Sequence, residues 1–383
     1  MDHTVKALDA VLLTRELIRI DSINPELVPG AAGEAAIAEW CAEWLITHGF
    51  EVQELGTTER PTVIGIARGT GGGRSLMLNG HLDTVGVASY DGDPFAGAVR
   101  DGKVYGRGAF DMKAGVAAIM VAAARAASAD LAGDVIVTLV ADEEFSSQGT
   151  QDALAEVTAD AAIVTEPSEM HLVLAHRGFA WFEIELTGEA AHGSMPHQGI
   201  DAIAHAGLVM RSLDVLRSRL ESVLPHPLLG YSAVRVSMIT GGTDAATVPD
   251  SCTLTIERRT LPGETPDSVE EQLRELLDEL AASTPDFRFE LRSLVSRGAF
   301  EADAGGSIVR AVAESAERVL GRPAPVRGEP FWTDAGLILE AGIPCLLLGV
   351  DGGGAHADTE WATVESIERL TDILEGAIRT FCA

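Results

Sequence analysis

The sequence predicts an α/β protein: a domain on a mainly parallel sheet, interrupted by an inserted ferredoxin-like α+β (βαββαβ) domain. Three observations predict it. Over residues 1–176, helical segments alternate with apolar runs too continuous for strands wetted on one face, such as "DVIVTLVA" at 134–141. Over 177–293 the order becomes strand, helix, strand, strand, helix, strand. Over 294–383 the α/β style returns. A chain of 383 residues is long enough for two such cores.

Taken in order, residues 4–20 place Val5, Leu8, Val11, Leu12 and Ile18 at helical spacing, and Pro25 prevents continuation. A second helix is expected at 31–48, with Gly49 as its C-terminal cap. Strands follow at 61–68 and 75–79, an Ala-rich helix at 113–127, and buried strands at 134–141 and 160–165. The inserted segment gives strands at 179–188, 231–240, 250–258 and 286–293, with helices at 200–220 and 266–282. The return brings helices at 305–320, 334–341 and 363–381 around a short strand at 345–349.

Composition excludes several classes. Hydrophobic content of 46% and charged content of 22% belong to a folded, soluble chain. With 28 Lys+Arg against 58 Asp+Glu the net charge is −30, which repels nucleic acid and anionic membranes. Cys41, Cys252, Cys345 and Cys382 lie far apart in apolar surroundings, as buried free thiols of a reducing cytosol do. The amino terminus shows no basic leader and no spanning apolar run, so a cytoplasmic location is expected. The Gly-rich turns "GTGGGR" and "DGGGAH" complete no GxGxxG, and neither a P-loop nor a GxSxG motif occurs.

The acids and histidines concentrate where strands end. "LMLNGHLDTV" carries His81 and Asp83, two apart and so on one face of an extended segment. Asp111 precedes the helix at 113–127, Glu143 and Glu144 follow "VTLVA", and Glu166 ends "AIVTE". His356 lies in a loop before the last helix. In an open α/β sheet, ligands collect at the carboxyl ends of strands. Imidazoles and carboxylates without thiolates suit zinc, with manganese or cobalt as substitutes. So many carboxylates over-ligate one ion, whereas a bridging carboxylate serves two ions roughly 3.5–4 Å apart, the spacing of hydrolytic two-metal sites.

The motifs "GHLDTV", "GRGAFDMKAG", "ADEEFSSQG", "TEPS" and "GAHADTEW" occur in this order. With them essentially the whole chain, inserted domain included, resembles the dinuclear zinc aminoacylase/carboxypeptidase family. Acetylornithine deacetylase, succinyl-diaminopimelate desuccinylase and carboxypeptidase G belong to it. The resemblance implies that two Zn2+ ions bind, one at His81, Asp111 and Glu166 and the other at Asp111, Glu144 and His356. It implies Glu143 as general base and Asp83 as the group that orients the His81 ring. "GEAAHGSMPHQGIDAI" resembles the family's lid motif, so His192 is expected to steady the oxyanion across a homodimer formed through the lid. Strand alternation puts Arg259 on the polar face, and the family pattern makes it a grip for a substrate carboxylate. The implied activity is hydrolysis of an N-acyl-L-amino acid, with a carboxypeptidase or dipeptidase acting on short peptides as the alternative.

Some positions depart from the family pattern. Ala246 stands where an Asn is common, and "GVDGGGAH" replaces a Gly-Pro-Gly loop, so Val350 and Asp351 are expected to reshape specificity. His197, His205 and Asp351 read as solvated side chains, although Asp351 also suits selection of a cationic substrate. Asp142 reads as a strand surfacing into water.

Overall fold

The computed structural model describes residues 8–127 and 130–383, which divide into two units. One comprises residues up to 174 with 302–327 and 333–383, and the other 175–301 with 328–332. Sequence patterning changes at 176/177 and 293/294; the second unit also takes in residues 175–176, 294–301 and 328–332.

In the first unit, the start of the helix expected at 4–20 lies outside the described residues, and its described part is Ala10–Ile18. Asp9 caps it, accepting the Leu12 amide at 3.0 Å. The main sheet runs in the order Glu51–Gly56, Pro61–Ala67, Val135–Val140, Leu76–His81, Ala161–Val164, Cys345–Leu347, Leu172–His176. Pairing is parallel from Val135–Val140 across to Cys345–Leu347, whereas Glu51–Gly56 with Pro61–Ala67, Pro61–Ala67 with Val135–Val140, and Leu172–His176 with Cys345–Leu347 pair antiparallel. The outermost strand, Glu51–Gly56, went unread because it is acidic and largely exposed. The central strands are buried throughout, as continuous apolar runs require. Helix Lys113–Ala127 packs on the sheet and against helices Ala10–Ile18 and Val364–Phe381; its Ala-rich sequence permits that closeness.

Register decides where the acids emerge. His81 pairs with Val140 and Asn79 with Val164, so His81, the segment from Asp142 and Glu166 leave the sheet at one end. Two glycines let the chain close around Glu166. A Cβ on Gly115 would lie 2.5 Å from the Thr165 oxygen, and one on Gly349 would lie 2.0 Å from the Glu166 oxygen. A small antiparallel sheet, Gly352–Gly353, Trp361–Thr363, Lys103–Tyr105 and Ala98–Arg100, ties the His356 loop to the segment leading into Asp111. Its strands of two or three residues are too short to show periodicity.

In the second unit the strand order is Ala233–Gly241, Ser251–Thr260, Gly178–Thr187, Arg288–Arg297, all antiparallel. That is the ferredoxin-like arrangement expected from the βαββαβ order. Alternate residues Phe182, Ile184, Leu186, Leu254 and Ile256 meet Val209, Leu213, Val269 and Leu273 of helices Ala202–Leu220 and Pro266–Ser283. Among the described residues no helix is long and apolar enough to cross a membrane, and all four cysteines are buried and unpaired as thiols.

Candidate metal centre

Five of the expected residues come together in the first unit as two triads that share Asp111. Donor atoms of His81, Asp111 and Glu166 lie within 4.8 Å of one another, and so do those of Asp111, Glu144 and His356. His81 Nε2 is 3.1 Å from Asp111 Oδ1 and 3.7 Å from Glu166 Oε1. His356 Nε2 is 3.3 Å from Asp111 Oδ2 and 3.1 Å from Glu144 Oε2. Each imidazole thus faces a different oxygen of one carboxylate. His356 adopts φ 61°, the left-handed region that a non-glycine residue enters only where its surroundings impose it.

The donor chemistry fits divalent cations. Burial pushes Glu166 well above the usual carboxylate range, reinforced by the charge of Asp111. Burial and the charge of Glu166 do the same to Glu143, and burial with the charge of Asp111 raises Glu144. Hydrogen bonds to Asp111 and Glu144 lift His356 to about 10. Burial works against the His81 imidazolium, yet its bonds to Asp111 and Asp83 hold it well above 6.5. Burial likewise opposes ionisation of Asp111, but the two imidazoles outweigh it and keep Asp111 low. Acids that retain protons beside charged imidazoles are what a cation-binding cluster becomes when protons stand in for the cations.

Asp83 lies behind this cluster, fully buried. His81 Nδ1 is 3.0 Å from its backbone oxygen and 3.5 Å from its Oδ1. The same carboxylate accepts the amides of Glu143 at 3.1 Å and Glu144 at 3.2 Å, and Asn24 Nδ2 at 2.8 Å. Asp142 is not solvated, correcting the expectation. It is 4% exposed, pairs with Arg60 at 2.9 Å and accepts from Asn24 at 3.1 Å, while Glu34 binds both Arg60 and the Asp142 amide. A buried carboxylate needs such partners, and the arginine that supplies them sits 82 positions earlier, beyond any local pattern.

Three further residues escaped sequence reading. Asn24, in the first loop, carried no spacing signal. Asp334 is buried, accepts the Thr150 hydroxyl at 2.5 Å, and burial pushes it up to about 6. Glu360 lies inside the quoted "GAHADTEW", four residues beyond His356, and its place in that motif was the available signal.

The other two expected residues belong to the second unit. His192 is exposed, its Nδ1 2.8 Å from Ser194 Oγ in a loop that bridges to Thr247. Arg259 lies beside Glu257 as alternation requires, but its guanidinium is already paired there at 2.8 Å and sits 5.7 Å over the Phe179 ring. Arg258, on the opposite face, is buried against Glu264. Ala246 accepts the Gly193 amide at 2.6 Å. In the first unit Val350 is fully buried, and the Asp351 carbonyl accepts the Thr363 amide.

Comparison with known proteins gives a consistent result. The profile of Peptidase family M20/M25/M40 matches residues 77–380. An acetylornithine deacetylase of Myxococcus xanthus is 30% identical over 395 residues, covering 100% of this chain and 99% of that protein. An N-formyl-4-amino-5-aminomethyl-2-methylpyrimidine deformylase of Bacillus subtilis (strain 168) is 30% identical over 389 residues, covering 93% of this chain and 91% of that protein. Among solved structures, aminopeptidase PepT of Bacillus cereus matches in fold with a TM-score of 0.79 at 21% identity, over 98% of each chain.

Proposed function

Because this chain belongs to peptidase family M20/M25/M40, a family of metal-dependent hydrolases, we propose that it is a two-metal deacylase cleaving the amide bond of an N-acyl-L-amino acid. The observation that carries the reading is the pair of donor triads sharing Asp111. Two relatives spanning the chain, the deacetylase and the deformylase, are named for removing an acyl group from nitrogen, which favours deacylation over peptide cleavage.

In this reading His81, Asp111 and Glu166 hold one ion and Asp111, Glu144 and His356 the other, with zinc the expected metal. Bound there, such ions polarise an amide carbonyl and make water acidic near neutral pH. Glu143 accepts the proton of the attacking water on its carboxylate and returns it to the departing amine. Burial first, and the charge of neighbouring carboxylates second, raise Glu143, and nearby cations would offset both by favouring its charged form. Asp83 orients His81 through Nδ1, as metal-bound imidazoles require. His192 would steady the oxyanion and Arg259 the substrate carboxylate, the latter after exchanging Glu257 for the substrate. A homodimer through the second unit is supported by its edge strand Ala233–Gly241, where Met238 and Ile239 are 64% and 52% exposed. Free buried thiols support residence in a reducing cytosol.

The test is a hydrolysis screen of the zinc-loaded protein over N-acetyl, N-succinyl and N-formyl amino acids and dipeptides, with ninhydrin detection of free amine. Chelator-sensitive release from N-acyl amino acids is expected. Turnover confined to dipeptides would replace the deacylase reading with the peptidase one, and turnover indifferent to chelation would overturn the metal mechanism.

A further inference from the structure

Beneath the candidate metal centre lies an ion pair that contributes no donor to it. Arg107 and Glu360 have side chains only 2% and 1% exposed, and Arg107 Nη1 donates to Glu360 Oε2 at 2.7 Å. The remaining acceptor positions of Glu360 are filled by main-chain amides. Oε2 accepts Gly108 N at 3.0 Å, and Oε1 accepts Phe110 N and Asp111 N at 2.9 Å each. A carboxylate has about four lone-pair sites, so this one is saturated. Arg107 Nη2 in turn donates to Gly86 O at 3.2 Å and to Ala357 O at 3.0 Å.

These bonds reach the loop after His81 through Gly86, the turn ending in Asp111, and the residue following His356. Stability is a weak reason to bury such a pair, since apolar replacements are often neutral or better. Its bonds do, however, hold the main-chain amide of Asp111, the carboxylate common to both triads, and the carbonyl of Ala357, the residue after the histidine that completes one of them.

We propose that Arg107 and Glu360 are positioning residues for the metal centre, fixing the Asp111 main chain and the His356 loop so that both donor triads are formed before an ion arrives. The inference rests on Asp111 being a shared ligand. It makes a claim of its own about ion affinity: a ligand whose main chain wanders must be ordered at the expense of binding.

The experiment reads ion binding, not turnover. Metal-free wild type, Glu360→Gln, the double variant Arg107→Met/Glu360→Met, and Leu374→Ala are titrated with Zn2+ against a chromophoric chelator. Their Co2+ forms are compared by visible absorption. Leu374 is a fully buried residue of helix Val364–Phe381 and controls for lost stability. Glu360→Gln is expected to bind ions about 10–100-fold more weakly and to alter the Co2+ spectrum, the usual consequence of removing a group that orients ligands. The double variant leaves no lone buried charge, so it should fold and still bind weakly. Leu374→Ala should change neither readout. Wild-type affinity and spectrum in both Glu360 variants overturn the proposal, as does an equal loss in Leu374→Ala. If wild type itself takes up no ion, the two-metal reading fails and the proposal with it. If wild type binds two ions and both Glu360 variants bind them equally well, the positioning role alone is lost.

Discussion

Removing the ions and then raising the pH should destabilise this protein, and the direction follows from the groups at the centre. Glu143, Glu144 and Glu166 have folded-state pKa values above their ordinary 4.5, through burial first and neighbouring carboxylates second. Above pH 4.5 the native state keeps protons that the unfolded chain gives up, so stability falls as pH rises through each raised value. His81 and His356 are raised as well, and the stability they gain from their carboxylate partners is complete below 6.5. For His356 it is lost as pH climbs to about 10. Asp111 and Asp83 are lowered, and what they contribute is lost only below 3.8, outside this window. Acids and imidazoles therefore act in the same direction. Ion binding acts oppositely, because ligands must release their protons, so affinity rises about tenfold per pH unit for each proton displaced. At fixed free metal above Kd, one displaced proton adds about 1.4 kcal/mol per pH unit, or about 3 kcal/mol between pH 6 and 8. That is an upper value for the ion facing His356, whose side chain is 53% exposed and partly screened by solvent. Thermal unfolding with EDTA or with buffered Zn2+ at the two pH values measures the increment. Calorimetry in buffers of different ionisation enthalpy counts the protons. An increment equal at both pH values, with no proton released, would refute the argument.

Glu143→Gln keeps side-chain shape and both donor triads, so both ions should remain by elemental analysis. Turnover should fall by about 10²–10⁴-fold, the usual worth of a general base; normal hydrolysis by this variant excludes Glu143 from that role. Glu144→Ala removes the carboxylate 3.1 Å from His356 Nε2, and one ion should be lost; full occupancy would end its assignment as a ligand. Asp83→Asn turns an acceptor of two amides into a partial donor. It should weaken metal binding about 10–100-fold by chelator competition, and unchanged affinity would leave Asp83 a packing residue. Mixing a His192→Ala protein with a Glu143→Gln protein should restore part of the activity if the histidine acts across a dimer, and none if it acts within one chain.

Residues in regular elements were legible because their environment is local. Apolar continuity marked Leu76–His81, Val135–Val140 and Ala161–Val164, and the acids at their ends followed from the rule that parallel sheets present ligand groups there. Two things were hidden. Short or exposed strands such as Gly352–Gly353 and Glu51–Gly56 have no periodic signature. Partners distant in the chain, such as Arg60 for Asp142 or Glu360 for the Asp111 amide, meet only after folding. Asp142 was misread for that reason: an acid after a strand looks solvated unless the arginine that accompanies it inside is known.

The proposed reading gives two adjacent glutamates different tasks, and the same turn bears on how they could take them. In an extended strand, consecutive amides point to opposite sides, so one carboxylate cannot receive both. Asp142 leaves the strand with φ 68°, in the left-handed region. Its carbonyl then accepts the amide of Ser146 at 3.1 Å, closing a tight turn. In that turn the next two amides, of Glu143 and Glu144, converge on Asp83 Oδ1 and Oδ2. Successive amides converging on one anion form a concave anion site, and here the anion is the group facing the His81 ring. The main chain of both glutamates is thus referenced to the same carboxylate that faces one imidazole. In the proposed reading, disturbing Asp83 would shift base, ligand and imidazole together. Asp83→Asn and Glu143→Gln should therefore be non-additive in activity, whereas Asp83→Asn and a substitution in the core of the other unit, such as Leu254→Ala, share no partner and should add.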